Sequence, residues 1–422
     1  MSFPRYPKYK ASGVEWLGEV PEEWVVKPIR RVIAAPLSNG IFKKKEEFGE
    51  GAMLVNVFDI YRSDFSVDFD SLDRVKCDPI ELSCYEVLVG DLFFVRSSLK
   101  QDGIAVVAMA GNCPEPAVYE CHLIRARPQK QLLDSRFGSF VLNSIVYRST
   151  MIAKAKINTM TTIDQEAILS TQLPIPPLPE QTAIAEFLDR ETAKIDGLVA
   201  EQRRLMELLK EKITSLVLSS MDLPNTQRLR FGNAACLMSR PVLQQQEESY
   251  TRIGLFNRGR GLFHKDASEM DDMGESDFFW VEEGDLIISG QFAWEGAVAM
   301  AGKDETGCVV SHRYPVIRGV PGIALTEYLF GLLCTNHGDF LLNEHSRGAA
   351  GRNRPLNIRS LMKETIPIPS MQIQETVARA IHSRTVLFQE ISTSIDLLQE
   401  HRSALISAAV TGQIDVRQPT RN

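Results

Sequence analysis

The segment VGDLFFVRSSLKQDGIAVVAMAG, from Val89 to Gly111, returns as EGDLIISGQFAWEGAVAMAG, from Glu283 to Gly302, with the GDL triplet displaced by 194 residues. Ile124-Arg125 return as Ile317-Arg318, and LPIPPLPEQTAIAEFLD (Leu173 to Asp189) returns as IPIPSMQIQETVARAIH (Ile366 to His382), both displaced by 193. A displacement that holds steady over so long a stretch marks two copies of one unit, and both copies must then fold alike. Each copy is a globular part, a Pro-punctuated turn and a long helix.

The globular parts alternate short apolar strands such as LFFV and IAVVAMA with Gly, Asn and Asp turns, and add helical stretches DSRFGSFVLNSIVYRS and LTEYLFGLLCTNHGDFLL. The pattern predicts an α+β fold for each. LPIPPLP and IPIPS cannot continue a helix and force extended geometry before each Pro, so the long helices start just after them. From Glu180 to Met221 there is no Pro and a single Gly, room for a helix of about 42 residues and roughly 60 Å. Heptads follow with Leu188, Ile195, Gln202, Leu209 and Leu216 in one row and Ile184, Glu191, Leu198, Leu205 and Lys212 in the other. In the second copy the rows are Ile381, Phe388, Ile395, Arg402, Ala409 and Val377, Arg384, Ile391, Leu398, Leu405. Two such seams in one chain most simply pack on each other, with an intermolecular coiled coil as the alternative. Polar seam residues should then meet, Glu191 with Arg402 and Arg384 with Glu211. The division expected is 1–170 for the N-terminal segment and first globular domain and 171–222 for the turn and central helix. It continues with 223–365 for the second globular domain and 366–422 for the distal helix and tail.

Composition narrows the function. Lys+Arg 47 against Asp+Glu 54 leaves a net charge of −7, so a polyanion could be held only by local patches. The start MSFPRYPKYK lacks the apolar core of a signal peptide, and no apolar run approaches the roughly 18 residues of a membrane span; a cytoplasmic location is expected. Seven Cys without a CxxC pair argue against a disulfide framework or a zinc site. No GxxxxGK[ST], HExxH, GxSxG or GxGxxG pattern is present, nor the Asn/Asp-Pro-Pro-aromatic tetrapeptide of amino-methyltransferases, and the His residues show no metal spacing. These absences point to a binding protein.

Local charge supplies the patches. Between Cys121 and Met160 stand Arg125, Arg127, Lys130, Arg136, Arg148, Lys154 and Lys156 against Asp134 alone. The matching place in the second copy reads HSRGAAGRNRPLN, with Arg347, Arg352 and Arg354 among glycines. Arginine supplies forked donors for phosphates or guanine edges, and glycine lets backbone approach them closely. Lys154, Lys156, Arg347, Arg352 and Arg354 are therefore the first DNA-contact candidates. Arg96, Ser97 and Ser98, and Ser289 and Gln291, follow the two GDL turns at matching places, and Lys43 and Lys44 form a further cluster offset by Glu46 and Glu47.

YPKYKASGVEWLGEVPEEWVVKPI, NGIFKKKEEFGEG, GDLFFVRSS, LPIPPLPEQTAIAEFLD and the closing LISAAVTGQIDV together resemble the specificity (S) subunit of type I restriction-modification systems. The resemblance implies two target-recognition domains, each reading half of a split double-stranded DNA site. The two long helices would form an antiparallel coiled coil that spaces them in a pseudo-twofold repeat. It further implies a chain without activity or cofactor of its own. Two methyltransferase (modification) subunits would use S-adenosylmethionine on adenine, and restriction subunits would use ATP and Mg. The partner contacts it suggests are Pro177, Pro179, Glu180, Gln181 and, in the second copy, Gln374. That copy departs from the pattern, keeping Pro367, Pro369 and Gln374 but losing the PPLPE core. An orphan or regulatory S-like chain, competing for methyltransferase subunits, is the alternative. A single-chain enzyme would need methyltransferase motifs for which two repeats leave no room.

Overall fold

The computed structural model describes residues 3–157, 160–243, 249–269, 276–348 and 354–417. The chain divides into two compact units, Met1–Glu201 with Ser394–Asn422, and Gln202–Thr393. The division runs through both long helices, so each unit holds the opening of one long helix together with the close of the other.

Unit 1 is built on a four-stranded antiparallel sheet in the order Ser38–Asn39, Leu123–Ala126, Leu92–Val95, Val107–Met109. Its central strands, LFFV and LIRA, bury nearly every side chain. Unit 2 repeats the sheet in the same order and sense, with Ala235–Leu237, Val316–Gly319, Leu286–Ile288 and Val298–Met300. The GDL triplets that betrayed the repeat sit at the entrance to the central strand, and their aspartates are fully buried. Asp91 accepts from Nε and a terminal amino group of Arg127 at 2.7 and 2.8 Å and from the Leu88 N–H at 2.8 Å. Asp285 accepts from Arg318 Nε at 2.6 Å, Arg240 at 2.8 Å and the Glu282 N–H at 2.9 Å. Removing either partner would strand a buried charge, which explains why both copies carry the pair.

Each helical stretch read from the sequence is two helices: Ser135–Asn143 and Ile145–Ala153 in unit 1, Thr326–Leu333 and Asn336–Glu344 in unit 2. The break at Ser144 is a residue in extended geometry, and the break before Asn336 is made by Thr335, whose hydroxyl accepts from the Gly338 N–H at 3.2 Å. The Pro-rich strings begin as strands. Gln172–Ile175 pairs with Val25–Pro28, and Thr365–Ile368 pairs with Gln227–Arg230, each in a two-stranded ribbon that tolerates proline.

From these ribbons the long helices start, at Leu178–Met221 and Met371–Val410. On the second, the inward positions follow the expected rows, with Val377, Ile381, Ile395, Leu405 and Ala409 buried. On the first, one row is displaced by a residue. Leu198 and Leu205 are 49% and 47% exposed, while Thr192, Val199 and Ile213 are buried. The expected ion pairs shift accordingly. In unit 1, Arg402 binds Asp196 rather than Glu191, at 2.9 and 3.2 Å, and lies over the Phe65 ring. Glu191 takes Arg190 and Lys194 of its own helix instead. In unit 2, Arg384 does not reach Glu211 but lies over the rings of Phe330 and Phe388 at 5.8 and 5.5 Å.

One side chain at each helix start ties helix to globular part. Gln181 is fully buried; its Nε2 donates to the carbonyls of Pro176 and Leu132, both at 2.9 Å, and its Oε1 accepts from the Asp134 N–H at 2.8 Å. Gln374 repeats this in unit 2, donating to Pro369 and Ile323 at 2.9 Å and accepting from Leu325 at 2.8 Å. Asp134 and Leu325 are the residues that open the helices Ser135–Asn143 and Thr326–Leu333. An isosteric apolar side chain would leave three backbone groups without their partner, one of them buried and two half-buried. Gln181→Met and Gln374→Met should therefore each cost about 2–4 kcal/mol, since one such orphan costs about 1–3. Thermal unfolding of the full chain measures this, and an unchanged transition in either variant contradicts it.

Candidate nucleic-acid interface

The residues singled out from the sequence as two separate groups are neighbours in space. In unit 1, Lys156–Ile157, Thr161–Thr162 and Ser97–Ser98 form one antiparallel sheet, extended by the Ile163 N–H donating to the Arg96 carbonyl at 3.0 Å. In unit 2 the corresponding bond runs from the Leu356 N–H to the Gly290 carbonyl at 2.7 Å, next to a bridge between Ser346 and Leu356. Thus in both units the segment after the helix Ile145–Ala153 or Asn336–Glu344 is zipped onto the segment after the GDL strand. This puts Lys156 one strand away from Ser97 and Ser98, and Arg354 two residues before the Leu356 that bonds Gly290, next to Gln291.

Their side chains divide into three kinds. Lys154, Lys156, Arg347, Arg354, Gln291 and Lys44 are exposed. Lys154 donates to the Ser170 hydroxyl at 3.3 Å, and Lys156 pairs with Asp164 at 3.2 Å. Hydrogen bonds from the Ala167 N–H and Lys156 hold the Asp164 carboxyl below its ordinary range. Arg347 pairs with Glu344, and the Arg354 guanidinium lies 5.0 Å over the half-buried Trp294 ring. Exposed pairs of this sort are worth little and exchange readily for a phosphate. Arg96 and Ser98 are half-buried, and Ser98 caps the Lys100 N–H at 3.2 Å.

Ser97 and Ser289 are buried, and the Ser289 hydroxyl accepts from the Phe292 N–H at 3.1 Å. These two shape the strand and do not face outward. Lys43 is no free cation either. Its side chain is 6% exposed, with the ammonium 3.1 Å from Glu47 and 2.8 Å from Glu81. Burial works against that charge, but the two carboxylates outweigh it and leave the lysine pKa raised. Arg352 lies outside the described residues.

Four of the seven basic residues of the first copy's run are taken up by groups distant in sequence, two of them by carboxylates. Arg127 serves Asp91, Arg136 binds Asp189 at 2.8 Å, and Arg125 donates to the Glu86 carbonyl at 2.7 Å. Arg148 donates to the carbonyls of Asp102 and Ile104. Only Lys130, Lys154 and Lys156 of that run stay exposed. Sequence reasoning also missed Trp294, and with it Arg258 and Arg260 in the FNRGRG stretch, whose alternation of arginine and glycine was the available signal.

The residues suggested as partner contacts are mostly interior. Gln181 and Gln374 are the buried ties described above. Glu180 is buried too, accepting from Tyr6 Oη at 2.6 Å and Trp24 Nε1 at 3.0 Å, with Arg417 3.8 Å away. Burial and then the Glu180 carboxylate push the Tyr6 hydroxyl pKa upward, which keeps it a donor. Pro177 and Pro179 alone of this group face solvent. Among the described residues no cluster of His, Cys, Asp and Glu could hold a metal, and no helix is long and apolar enough to cross a membrane.

Residues 21–204 match the family described as the type I restriction modification DNA specificity domain. Over 196 residues the chain is 25% identical to a protein assigned as the MjaX type I restriction enzyme specificity subunit of Methanocaldococcus jannaschii, covering 46% of this chain and 44% of that one. It is 28% identical over 214 residues to the EcoKI type I restriction enzyme specificity subunit of Escherichia coli, covering 46% and 41%. Each match thus spans under half the length of the curated relative. A chain from a solved structure concerned with complex assembly and conformational transition of the type I R-M system matches 93% of this chain and 98% of its own. At 14% identity and a TM-score of 0.55, that likeness is one of fold. The family match covers the first copy, and the second repeats its four-stranded sheet strand for strand. Residues 21–204 are thus similar to the type I restriction modification DNA specificity domain, and the second unit repeats the sheet on which that first copy is built.

Proposed function

We propose that this chain is the DNA sequence-recognition subunit of a type I restriction-modification complex. It reads a split target in double-stranded DNA, one half with each unit, and has no catalysis of its own. The observation that carries this reading is the equivalent placement, in both units, of an exposed basic segment zipped onto the strand that follows the GDL turn. Phosphates would be met first by Lys154, Lys156, Arg347 and Arg354, and base edges by Arg96, Ser98 and Gln291, since phosphate contacts are the commoner class. Methyltransferase subunits would bring S-adenosylmethionine, and restriction subunits ATP and Mg. Pro177 and Pro179 are the solvent-facing residues left to contact a partner at the first helix start.

The long helices give the reading its geometry. Two modules on a stiff connector gain from effective concentration only when both half-sites sit at the spacing the connector allows. Each good bidentate base contact contributes about 1–3 kcal/mol, so two modest readers combine into useful specificity.

Two outcomes follow. With its methyltransferase partner, the chain should bind a bipartite duplex tightly at one spacer length. One base pair added or removed turns a half-site by about 34° and should abolish tight binding. Equal affinity across several spacer lengths contradicts the reading. Arg354→Ala and Lys156→Ala should each weaken binding and reduce the slope of log affinity against log salt by about one. If affinity and slope both stay unchanged in anisotropy titrations, these side chains do not touch phosphate.

A further inference from the structure

The FNRGRG stretch of unit 2 forms the tip of a hairpin between Ile253–Leu255 and Leu262–His264, closed by the Phe256 N–H donating to the Gly261 carbonyl at 3.0 Å. The tip is fastened to the turn Ala293–Glu295. Arg258 N–H donates to the Glu295 carbonyl at 3.0 Å, Gly259 N–H to the Gly296 carbonyl at 2.9 Å, and the Asn257 amide to the Glu295 carboxylate. Arg258 itself adopts φ +60°, a left-handed conformation that a non-glycine residue holds only when its surroundings impose it. That same turn carries Trp294, with Arg354 stacked on it, and follows Gln291.

Two exposed arginines are thereby set beside the candidate interface in different ways. The Arg260 guanidinium lies 5.5 Å over the Phe256 ring, and its Nε donates to the Asn257 carbonyl at 3.0 Å. Phe256 is in turn packed on Phe263, with ring centroids 4.9 Å apart. One edge of the guanidinium is thus held, which leaves the two terminal amino groups as a preset fork. The Arg258 side chain makes no hydrogen bond or ion pair among the described residues.

In unit 1 the corresponding loop docks on the corresponding turn through Tyr61 Oη, which donates to the Gly103 carbonyl at 2.9 Å. There Arg62 is neutralised by Asp64 and Asp68 at 3.3 and 3.1 Å. The docking is shared, but among the described residues of these two loops the arginines without a carboxylate ion pair are those of unit 2, which is what a sequence-reading element requires and a scaffold does not.

Resting on the reading of the chain as a DNA-recognition subunit, we propose that the Phe256–Gly261 hairpin tip reads bases in the half-site of unit 2. Arg260 presents its fork to a guanine edge, and Arg258 contacts an adjacent phosphate. A guanidinium oriented before binding suits the two parallel acceptors of guanine in the major groove. A phosphate contact needs no such orientation.

The test uses the full chain with a library of random-sequence duplexes, followed by anisotropy titrations on the selected duplex and its single-base variants. The intact chain should select a site with a guanine at one position of one half, discriminated by about ten- to hundredfold. Arg260→Ala and Arg260→Lys should both lose discrimination at that position alone, because lysine keeps the charge without the fork. Arg258→Ala should weaken all duplexes alike and lower the salt slope by about one. Full discrimination retained by Arg260→Lys, or a uniform loss at every position in Arg260→Ala, overturns the assignment of Arg260. Unchanged affinity and slope in Arg258→Ala overturn that of Arg258. If the intact chain selects no sequence, the recognition reading falls and takes this assignment with it, whereas selection that ignores all three substitutions removes this assignment alone.

Discussion

Gln181 and Gln374 fix where a globular part stands on its helix. A proline-interrupted strand leading into a helix of 44 or 40 residues has no means of its own to set that orientation. In each unit one buried amide uses a carbonyl five residues back to close the helix start. It uses a second carbonyl and an N–H of the preceding domain to anchor it. A fully satisfied buried amide is cheap to keep and costly to remove, and its partners are backbone atoms whose positions are set by the fold. Unit 1 adds a second tie at the neighbouring residue, where Glu180 gathers Tyr6, Trp24 and Arg417. Ile373 stands at the equivalent place in unit 2, so the carboxylate tie is missing there, while the Tyr328 hydroxyl donates to the Pro367 carbonyl at 2.9 Å nearby.

The same logic governs charge. A chain with net charge −7 can hold a polyanion only where its cations are not already neutralised. The GDL aspartates take Arg127, Arg240 and Arg318 into the interior, and Asp189 takes Arg136. Among the cations that stay outward are those on the segments beside the post-GDL strands and, in unit 2, on the hairpin tip.

Much of this was legible in the sequence. The repeat, the central strands, the long helices and the inward face of the second helix follow from periodicity. The first helix misleads by one residue because the two leucines Leu198 and Leu205 drew the row, although the neighbouring row of Ala185, Thr192, Val199, Met206 and Ile213 has more apolar positions and holds the buried Thr192, Val199 and Ile213. The ion pair of Arg402 with Asp196 rather than Glu191 accompanies that displacement. The basic run overstated its charge because the acids that neutralise it stand as far as 36 and 53 residues away. Gln181, Gln374 and Glu180 drew attention as motif residues, but a buried polar tie and an exposed contact read alike in a sequence. The FNRGRG tip went unnoticed because nothing in the chain order announces that it docks beside Trp294.

The central claim is that two equivalent units read two half-sites at a spacing set by the chain. Methylome sequencing of the host, with and without this gene, tests it most directly. The account predicts that one adenine-methylated motif vanishes with the gene, and that this motif has two short defined parts separated by a fixed run of unspecified bases. Loss of an uninterrupted motif, or of none, would contradict it.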